Sequence, residues 1–194
     1  MDKIDASPES ARDRLLTAAA ALFYNDGINA TGTDAIIRRA GVARQSLYNN
    51  FGTKAGLVAA YLTARHQEWL ALYQARLAGA VTPQDRVLAV FDAYQDHAEQ
   101  DYERGFRGCG LLNAAAELGA DHPGRAAVRR HKEQVESLIR DPLAELTGAD
   151  RAAELARHLA FLLEGAITRA GLERRGDCVV QARAMAAAMI GALA

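Results

Sequence analysis

Residues 33–51 read TDAIIRRAGVARQSLYNNF, and this stretch decides the fold. Two short segments with helical spacing of apolar residues, 33–40 and 44–50, are separated by Gly41, Val42 and Ala43. Two short helices joined by a three-residue turn that contains glycine form a helix-turn-helix. The second segment also carries more large hydrogen-bonding side chains than an ordinary amphipathic helix needs. The stretch therefore predicts a helix-turn-helix whose second helix presents a polar face to a partner.

The first short helix begins with residues suited to a helix N-terminus. Thr33 is predicted to cap its unpaired amide groups. Asp34 lies where negative charge stabilises the positive end of the helix dipole. The residues expected to pack the two helices together are Ile36, Ile37, Ala40, Val42 and Leu47.

Apolar residues recur at helical spacing along the rest of the chain. No segment shows sustained alternation, and β-branched residues are sparse. The fold class is therefore all-α. Helix starts are predicted at Ser7-Pro8 and Thr82-Pro83, and the predicted breaks are 26–27, 41, 79, 105–110, 122–124, 148 and 171–176. These breaks divide the chain into about nine helices.

Composition excludes several classes of protein. The chain has 23 basic and 24 acidic residues, which argues against a protein coated in positive charge. Two cysteines and the absence of a secretory leader favour a reducing, cytoplasmic compartment. The longest apolar run, 184–194, is too short to span a bilayer. No phosphate loop, nucleophile elbow or paired metal-ligand motif is present, so we expect neither an enzyme nor a bound cofactor or metal.

The charge of the helix-turn-helix region differs from that of the whole chain. From residue 31 to residue 56, four basic residues and one acid give +3 (4 − 1) within a chain of net −1. Such asymmetry is what a surface facing phosphates needs. We interpret Arg38 and Arg39 as solvated helix faces. Arg44, Tyr48 and Lys54 together favour DNA.

The second short helix has the side chains of a DNA recognition helix. In a major groove its first turn meets base edges, where arginine favours guanine and glutamine or asparagine favours adenine. Arg44 and Gln45 lie in that turn. Tyr48 lies one turn later on the same face, and further donors to the sugar-phosphate backbone are Ser46, Asn49 and Asn50.

Residues 12–62 resemble the DNA-binding domain of the TetR family of bacterial one-component repressors. The match includes the spacing of Leu16, Ala19 and Phe23, and then Gly27, Thr33, Ile36, Ala40-Gly41-Val42, Leu47-Tyr48, Phe51 and Lys54. The resemblance implies phosphate contacts at Thr33, Tyr48, Asn50 and Lys54. It implies contacts within the groove for Arg44, Gln45 and Asn49.

The chain departs from the family pattern at three places. Gln45 occupies a position that is often glycine, and it is predicted to add base reading. Ile37 replaces a frequent alanine and requires local repacking. Ala55 and Gly56 replace acidic residues, so Thr53 is expected to lack a capping-box partner.

The domain organisation follows from these segments and from the resemblance. We predict a helix-turn-helix domain at 1–52 and a larger helical ligand-binding and dimerisation domain at 53–194. The last two helices are apolar on more than one side, and a helix apolar on two sides needs two partners. The resemblance implies that these helices form a four-helix bundle with a second chain, giving a homodimer. A purely intramolecular core is the alternative.

The middle of the chain, about 53–147, is predicted to sense a small-molecule effector. Asn113 and Glu117 lie one turn apart on an otherwise apolar helix and need partners if they are buried. The full candidate set is Phe91, Tyr94, Cys109, Asn113, Glu117 and Phe161, with Trp69 and Phe106 as further aromatic residues. Most of these aromatics are core residues on the competing interpretation.

Cys109 has two interpretations. A thiol just before a helix N-terminus, with Arg107 nearby, is suited to sensing oxidants or electrophiles. A small buried hydrophobic residue is the competing and favoured interpretation. The nearby Glu117, Asp121 and His122 lack the spacing of a dedicated metal site.

These observations predict a sequence-specific DNA-binding regulator, a repressor that a small molecule releases from a palindromic operator. Activation rather than repression stays open. The alternative is an all-helical small-molecule-binding or thiol-sensing protein without a role on DNA.

Overall fold

The computed structural model describes residues 9–193, and over these residues it consists of nine helices without strands. The all-α class and the number of helices predicted from the sequence are confirmed. The helices are α1 (Ala11–Asp26), α2 (Thr33–Ala40), α3 (Arg44–Phe51), α4 (Lys54–Leu77), α5 (Pro83–Glu99), α6 (Gly110–Glu117), α7 (Pro123–Thr147), α8 (Ala149–Glu173) and α9 (Asp177–Gly191). No helix of this described part is long and apolar enough to cross a membrane.

The helix starts show where capping chemistry was correctly predicted. Thr82 and Asp85 form a complete capping box at the start of α5. The predicted start at Ser7-Pro8 lies outside the described residues, and α1 instead begins after Ser10, whose Oγ accepts from the Asp13 amide at 3.1 Å. The prediction for Thr33 is wrong. Gly32 is the N-cap of α2, and Thr33 is the first helical residue, without a side-chain cap bond.

The chain divides into two compact units, unit 1 (Met1–Leu62) and unit 2 (Thr63–Ala194). The division falls inside α4, whereas we predicted a boundary between residues 52 and 53. The first turns of α4 belong to unit 1 because their apolar side chains are buried there. The rings of Tyr61 and Phe23 meet edge to face with centroids 5.4 Å apart.

Unit 2 is built mainly from α5, α7, α8 and α9. Helix α8 continues through Gly171 and ends at Glu173, because Arg174 adopts the left-handed conformation (φ 56°). Gly171 permits a close approach between α8 and the segment before α6. A Cβ at this position would lie 2.5 Å from the amide nitrogen of Gly108. The backbone of that segment is thus held directly against α8.

Candidate functional site

The turn between α2 and α3 sets the direction of the second helix. Gly41 adopts the left-handed conformation (φ 62°, ψ 39°), which glycine reaches without a steric penalty. Its amide bonds back to the carbonyl groups at the end of α2. Leu47 is fully buried and is the only buried residue of α3. The rest of α3 is therefore directed away from the core of unit 1.

The predicted base-reading residues lie together on this outward surface. Arg44, Gln45, Tyr48, Asn49 and Asn50 are exposed, and Ser46 is half-buried. We call the surface formed by these six residues the α3 polar face. It contains the six DNA-contacting candidates of α3.

Four of the exposed side chains on the α3 polar face already have a hydrogen-bond partner within unit 1. Arg44 Nη2 donates to Asp34 Oδ1 at 2.6 Å, and both side chains are largely exposed (63% and 67%). Gln45 Nε2 donates to Asn49 Oδ1 at 2.9 Å. Asn50 Nδ2 donates to the carbonyl oxygen of Ser46 at 2.7 Å. Exposed contacts of this kind contribute about 1 kcal/mol or less, so the contacts of Gln45, Asn49 and Asn50 could be exchanged for DNA at small cost.

The two remaining candidates, Thr33 and Lys54, border the α3 polar face at neighbouring helix starts. Both are half-buried at the first residue of their helices. Lys54 Nζ donates to the carbonyl oxygen of Ile28 at 2.7 Å, which limits how far its charge can move. Lys54 therefore ties α4 to the loop before α2.

The departures from the family pattern at the start of α4 have a structural counterpart. Thr53 Oγ1 accepts from the Gly56 amide at 3.1 Å, so half of a capping box is present and the missing carboxylate partner is confirmed. A Cβ at Gly56 would lie 2.1 Å from the carbonyl oxygen of Phe51. The close approach of Phe51 therefore disfavours any larger residue at this position.

The effector candidates do not form one site in unit 2. Phe91 and Tyr94 are buried on α5, and Asn113 and Glu117 are half-buried on α6. Cys109, Asn113, Thr168 and Arg174 help to line a cavity of about 330 Å³. The amide of Asn113 has a protein partner, since its Nδ2 donates to the Arg107 carbonyl at 3.0 Å.

Phe161 lies on a different surface from the other candidates. Its side chain is 66% exposed on α8 and lines a groove of about 690 Å³ between α8 and α9. Met185 of α9 lines the same groove and is 55% exposed. We call this surface the α8–α9 groove.

A largely buried polar cluster in unit 2 was not predicted from the sequence, although Tyr94 and Trp69 were among the candidates. His66 and His131 share a hydrogen bond between their Nδ1 atoms at 2.9 Å. Lys132 Nζ donates to the Tyr94 hydroxyl at 3.3 Å. The indole nitrogen of Trp69 is buried without a hydrogen-bond partner among the described residues. We call these five residues the His131 cluster.

Burial favours the uncharged forms of His131 and Tyr94. It lowers the pKa of His131 to about 3 and raises the pKa of Tyr94 to about 12. A signal for the buried histidine was present in the sequence. His131 lies between Val128 and Val135 at helical spacing, so it continues the apolar stripe of α7.

The weak metal hypothesis at residues 117–122 gains no support from the described residues. These contain no group of three potential metal ligands. His122 has a structural role instead, because its Nδ1 accepts from the Gly124 amide at 3.0 Å and caps α7.

Curated relatives match about half of the chain. The chain is 31% identical over 99 residues to the HTH-type transcriptional activator FasR of Mycolicibacterium smegmatis, covering 51% of this chain and 45% of FasR. It is 32% identical over 105 residues to the HTH-type transcriptional repressor KstR2 of Mycobacterium tuberculosis, covering 52% of both proteins. The chain thus spans about half the length of these curated relatives.

Solved structures and family models match more of the chain. The crystal structure of a TetR-family transcriptional regulator from Streptomyces coelicolor has a TM-score of 0.83 and 30% identity, covering 93% of this chain and 95% of that one. The model for bacterial regulatory proteins of the tetR family matches residues 15–61, and the tetracyclin repressor-like C-terminal domain matches residues 83–186. The chain therefore belongs to the TetR family of DNA-binding transcriptional regulators.

Proposed function

We propose that the chain is a homodimeric repressor that binds a near-palindromic operator and leaves it when a small molecule binds. The observation that carries this proposal is the α3 polar face, since a single buried residue anchors α3 and leaves its polar side chains exposed. The names of the two curated relatives, one a repressor and one an activator, keep activation as the second candidate. Because the chain belongs to the TetR family, a protein without a role on DNA is disfavoured. We also infer that the protein acts in the cytoplasm, and that it acts by binding rather than by catalysis.

The roles on DNA divide by position on unit 1. Arg44, Gln45 and Asn49 would enter the major groove, because they lie on the exposed side of α3. Phosphate contacts would come from Thr33, Ser46, Tyr48, Asn50 and Lys54, which supply hydroxyl, amide and ammonium donors.

The α8–α9 groove supports a homodimer. Phe161 and Met185 are exposed there although they are large and apolar, and Leu172 near the end of α8 is 81% exposed. One recognition helix reads only a few base pairs, so two copies on half-sites about one helical turn apart, or a multiple of it, would supply the specificity.

The effector would bind in unit 2 and shift the population of dimers. It must have higher affinity for a dimer whose recognition helices no longer match the separation of the half-sites. Buried donors of the His131 cluster and the cavity beside Cys109 and Asn113 support a polar ligand. The predicted contacts of Phe91, Tyr94, Glu117 and Phe161 remain part of this proposal.

Selection from a random duplex pool tests the DNA-binding role. The protein should enrich a palindrome, and its affinity should fall steeply with salt because bound phosphates release counterions. Tyr48→Ala should weaken binding, whereas Arg157→Ala, which removes an exposed arginine from unit 2, should leave it unchanged. Recovery of no sequence at low salt contradicts the proposal.

Sedimentation tests the dimer. Replacing Phe161 and Met185 by glutamate should produce monomers, because it places charge in the α8–α9 groove. Val81→Glu is the matched control, since Val81 is also apolar and exposed but lies outside this groove. A dimer that survives the double substitution would contradict this interface, and so would a dimer that Val81→Glu dissociates equally.

A thermal-shift screen of small molecules tests the effector site. A ligand that binds only the folded protein raises its apparent stability. Cys109→Ser should preserve the response if the thiol is structural. Loss of the response with DNA binding intact would favour a thiol sensor.

A further inference from the structure

The base-reading arginine of α3 is held by an acid from the other helix of the helix-turn-helix. Asp34 is in the first turn of α2, and its Oδ1 accepts from Arg44 Nη2 at 2.6 Å. Asp34 is also the only acid among residues 31–56. We propose that Asp34 is a positioning residue that orients the guanidinium of Arg44 for one base pair and so sets operator choice there. This inference rests on the proposed DNA-binding function.

The geometry leaves Arg44 able to read a base while it stays paired. A guanidinium has five N–H donors in a rigid planar fork. Arg44 contacts Asp34 through Nη2, so its other donors are available for a two-point contact with guanine. The contact restricts the rotamers of Arg44 and so reduces the side-chain entropy lost when DNA binds.

The charge of Asp34 has a separate effect. A carboxylate close to DNA phosphates repels them whatever the base sequence, so it weakens binding to every site. Repulsion therefore leaves the ratio of specific to non-specific affinity unchanged. Only the orientation of Arg44 raises that ratio, because it favours one base.

Asp34 also has a structural role, because an acid in the first turn stabilises the dipole of α2. Asp34→Glu separates the two roles. It retains the charge and the favourable dipole interaction but moves the carboxylate away from its present contact with Arg44. Base discrimination at one position should fall roughly twofold to fourfold, without a change in melting temperature. This loss is smaller than the roughly fivefold loss, about 1 kcal/mol, expected when the whole Arg44 contact is removed.

Two further substitutions separate charge from position. Asp34→Asn keeps an oxygen acceptor for Arg44, so it should keep most of the discrimination while non-specific affinity at low salt rises roughly twofold to fivefold. Asp34→Ala should raise non-specific affinity and also lose discrimination. Asp13→Asn is the control, because it removes an equal charge from an exposed acid on α1.

A double-mutant cycle decides whether Asp34 acts through Arg44. The measurement is relative affinity for the selected operator and for its single-base variants. In an Arg44→Ala background, Asp34→Glu should cause no further loss of discrimination. The inference is overturned if the wild-type protein selects an operator and Asp34→Glu leaves its base profile unchanged, or alters it equally without Arg44. A wild-type protein that selects no sequence instead contradicts the proposed function.

Discussion

The two units use polar side chains in opposite ways. On the α3 polar face of unit 1, the polar groups are exposed and pair locally, as in the contact between Gln45 and Asn49. In the His131 cluster of unit 2, they are buried or half-buried and pair between helices, as in the contact between His66 and His131. Exposed pairs can be exchanged for DNA at little cost, whereas a buried donor requires a replacement partner. Solvent exposure, more than residue type, therefore separates the DNA surface from the interior of unit 2.

The largest expected effect tests the tight packing of unit 2. Gly171→Ala should lower the free energy of unfolding by about 3 kcal/mol, because its Cβ would collide with the Gly108 backbone. Gly119→Ala is the matched control, since a Cβ there meets no atom within 4 Å. Chemical denaturation followed by circular dichroism measures both. Equal stability of the two variants would show that the backbone before α6 can move away from the added methyl group at little cost in free energy.

The next effect concerns pH and distinguishes the buried histidines from exposed ones. Burial lowers the pKa of His131 to about 3 and of His97 to about 4, from 6.5. Between pH 6.5 and these lowered pKa values, both histidines are protonated in the unfolded chain and neutral in the folded protein. The free energy of unfolding should therefore fall as the pH decreases from 6.5 toward 3. Each histidine should remove about 1.4 kcal/mol by pH 5.5.

Substitutions assign this pH dependence to its source. His131→Gln should flatten the dependence of unfolding free energy on pH. His158→Gln should preserve it, because His158 is exposed. If the unfolding free energies of both variants depend on pH in the same way, His131 is not the source of the pH dependence.

A smaller effect tests the division of roles at the DNA surface. Arg44→Ala should cost about 1 kcal/mol of discrimination at one base pair. Lys54→Ala should weaken binding to all sequences and reduce the salt slope by about 1, because it removes the proposed phosphate contact. Gel shifts against operator variants at several salt concentrations measure both. Equal, sequence-independent losses would contradict the division.

The smallest effect on stability is expected at Gln45. Its exposed bond to Asn49 contributes little, so Gln45→Ala should change the unfolding free energy by less than about 0.5 kcal/mol. Operator preference should nevertheless change, because Gln45 lies in the first turn of α3. Repeating the operator selection with this variant measures the change. An unaltered consensus sequence would show that Gln45 does not contribute to base recognition.

The local features of both units could be predicted from the sequence. The turn at Gly41, the bounds of α2 and the capping box at Thr82 depend on residues only a few positions apart. Helical spacing also placed Tyr48 one turn after Arg44 on the same side of α3. Thr33 was predicted as the N-cap of α2. Gly32 adopts the extended conformation of an N-cap instead, so Thr33 is the first helical residue.

The amino-acid sequence by itself determined the helical class, the helix-turn-helix and the residues of the α3 polar face, since periodicity and capping act over one or two turns. Only the tertiary structure decided which distant residues meet. It paired Asp34 with Arg44, placed Lys54 on the carbonyl of Ile28, and joined His66 to His131 across 65 positions. These contacts depend on how helices pack against one another, and packing is set by the shape of the whole core rather than by neighbours in the chain.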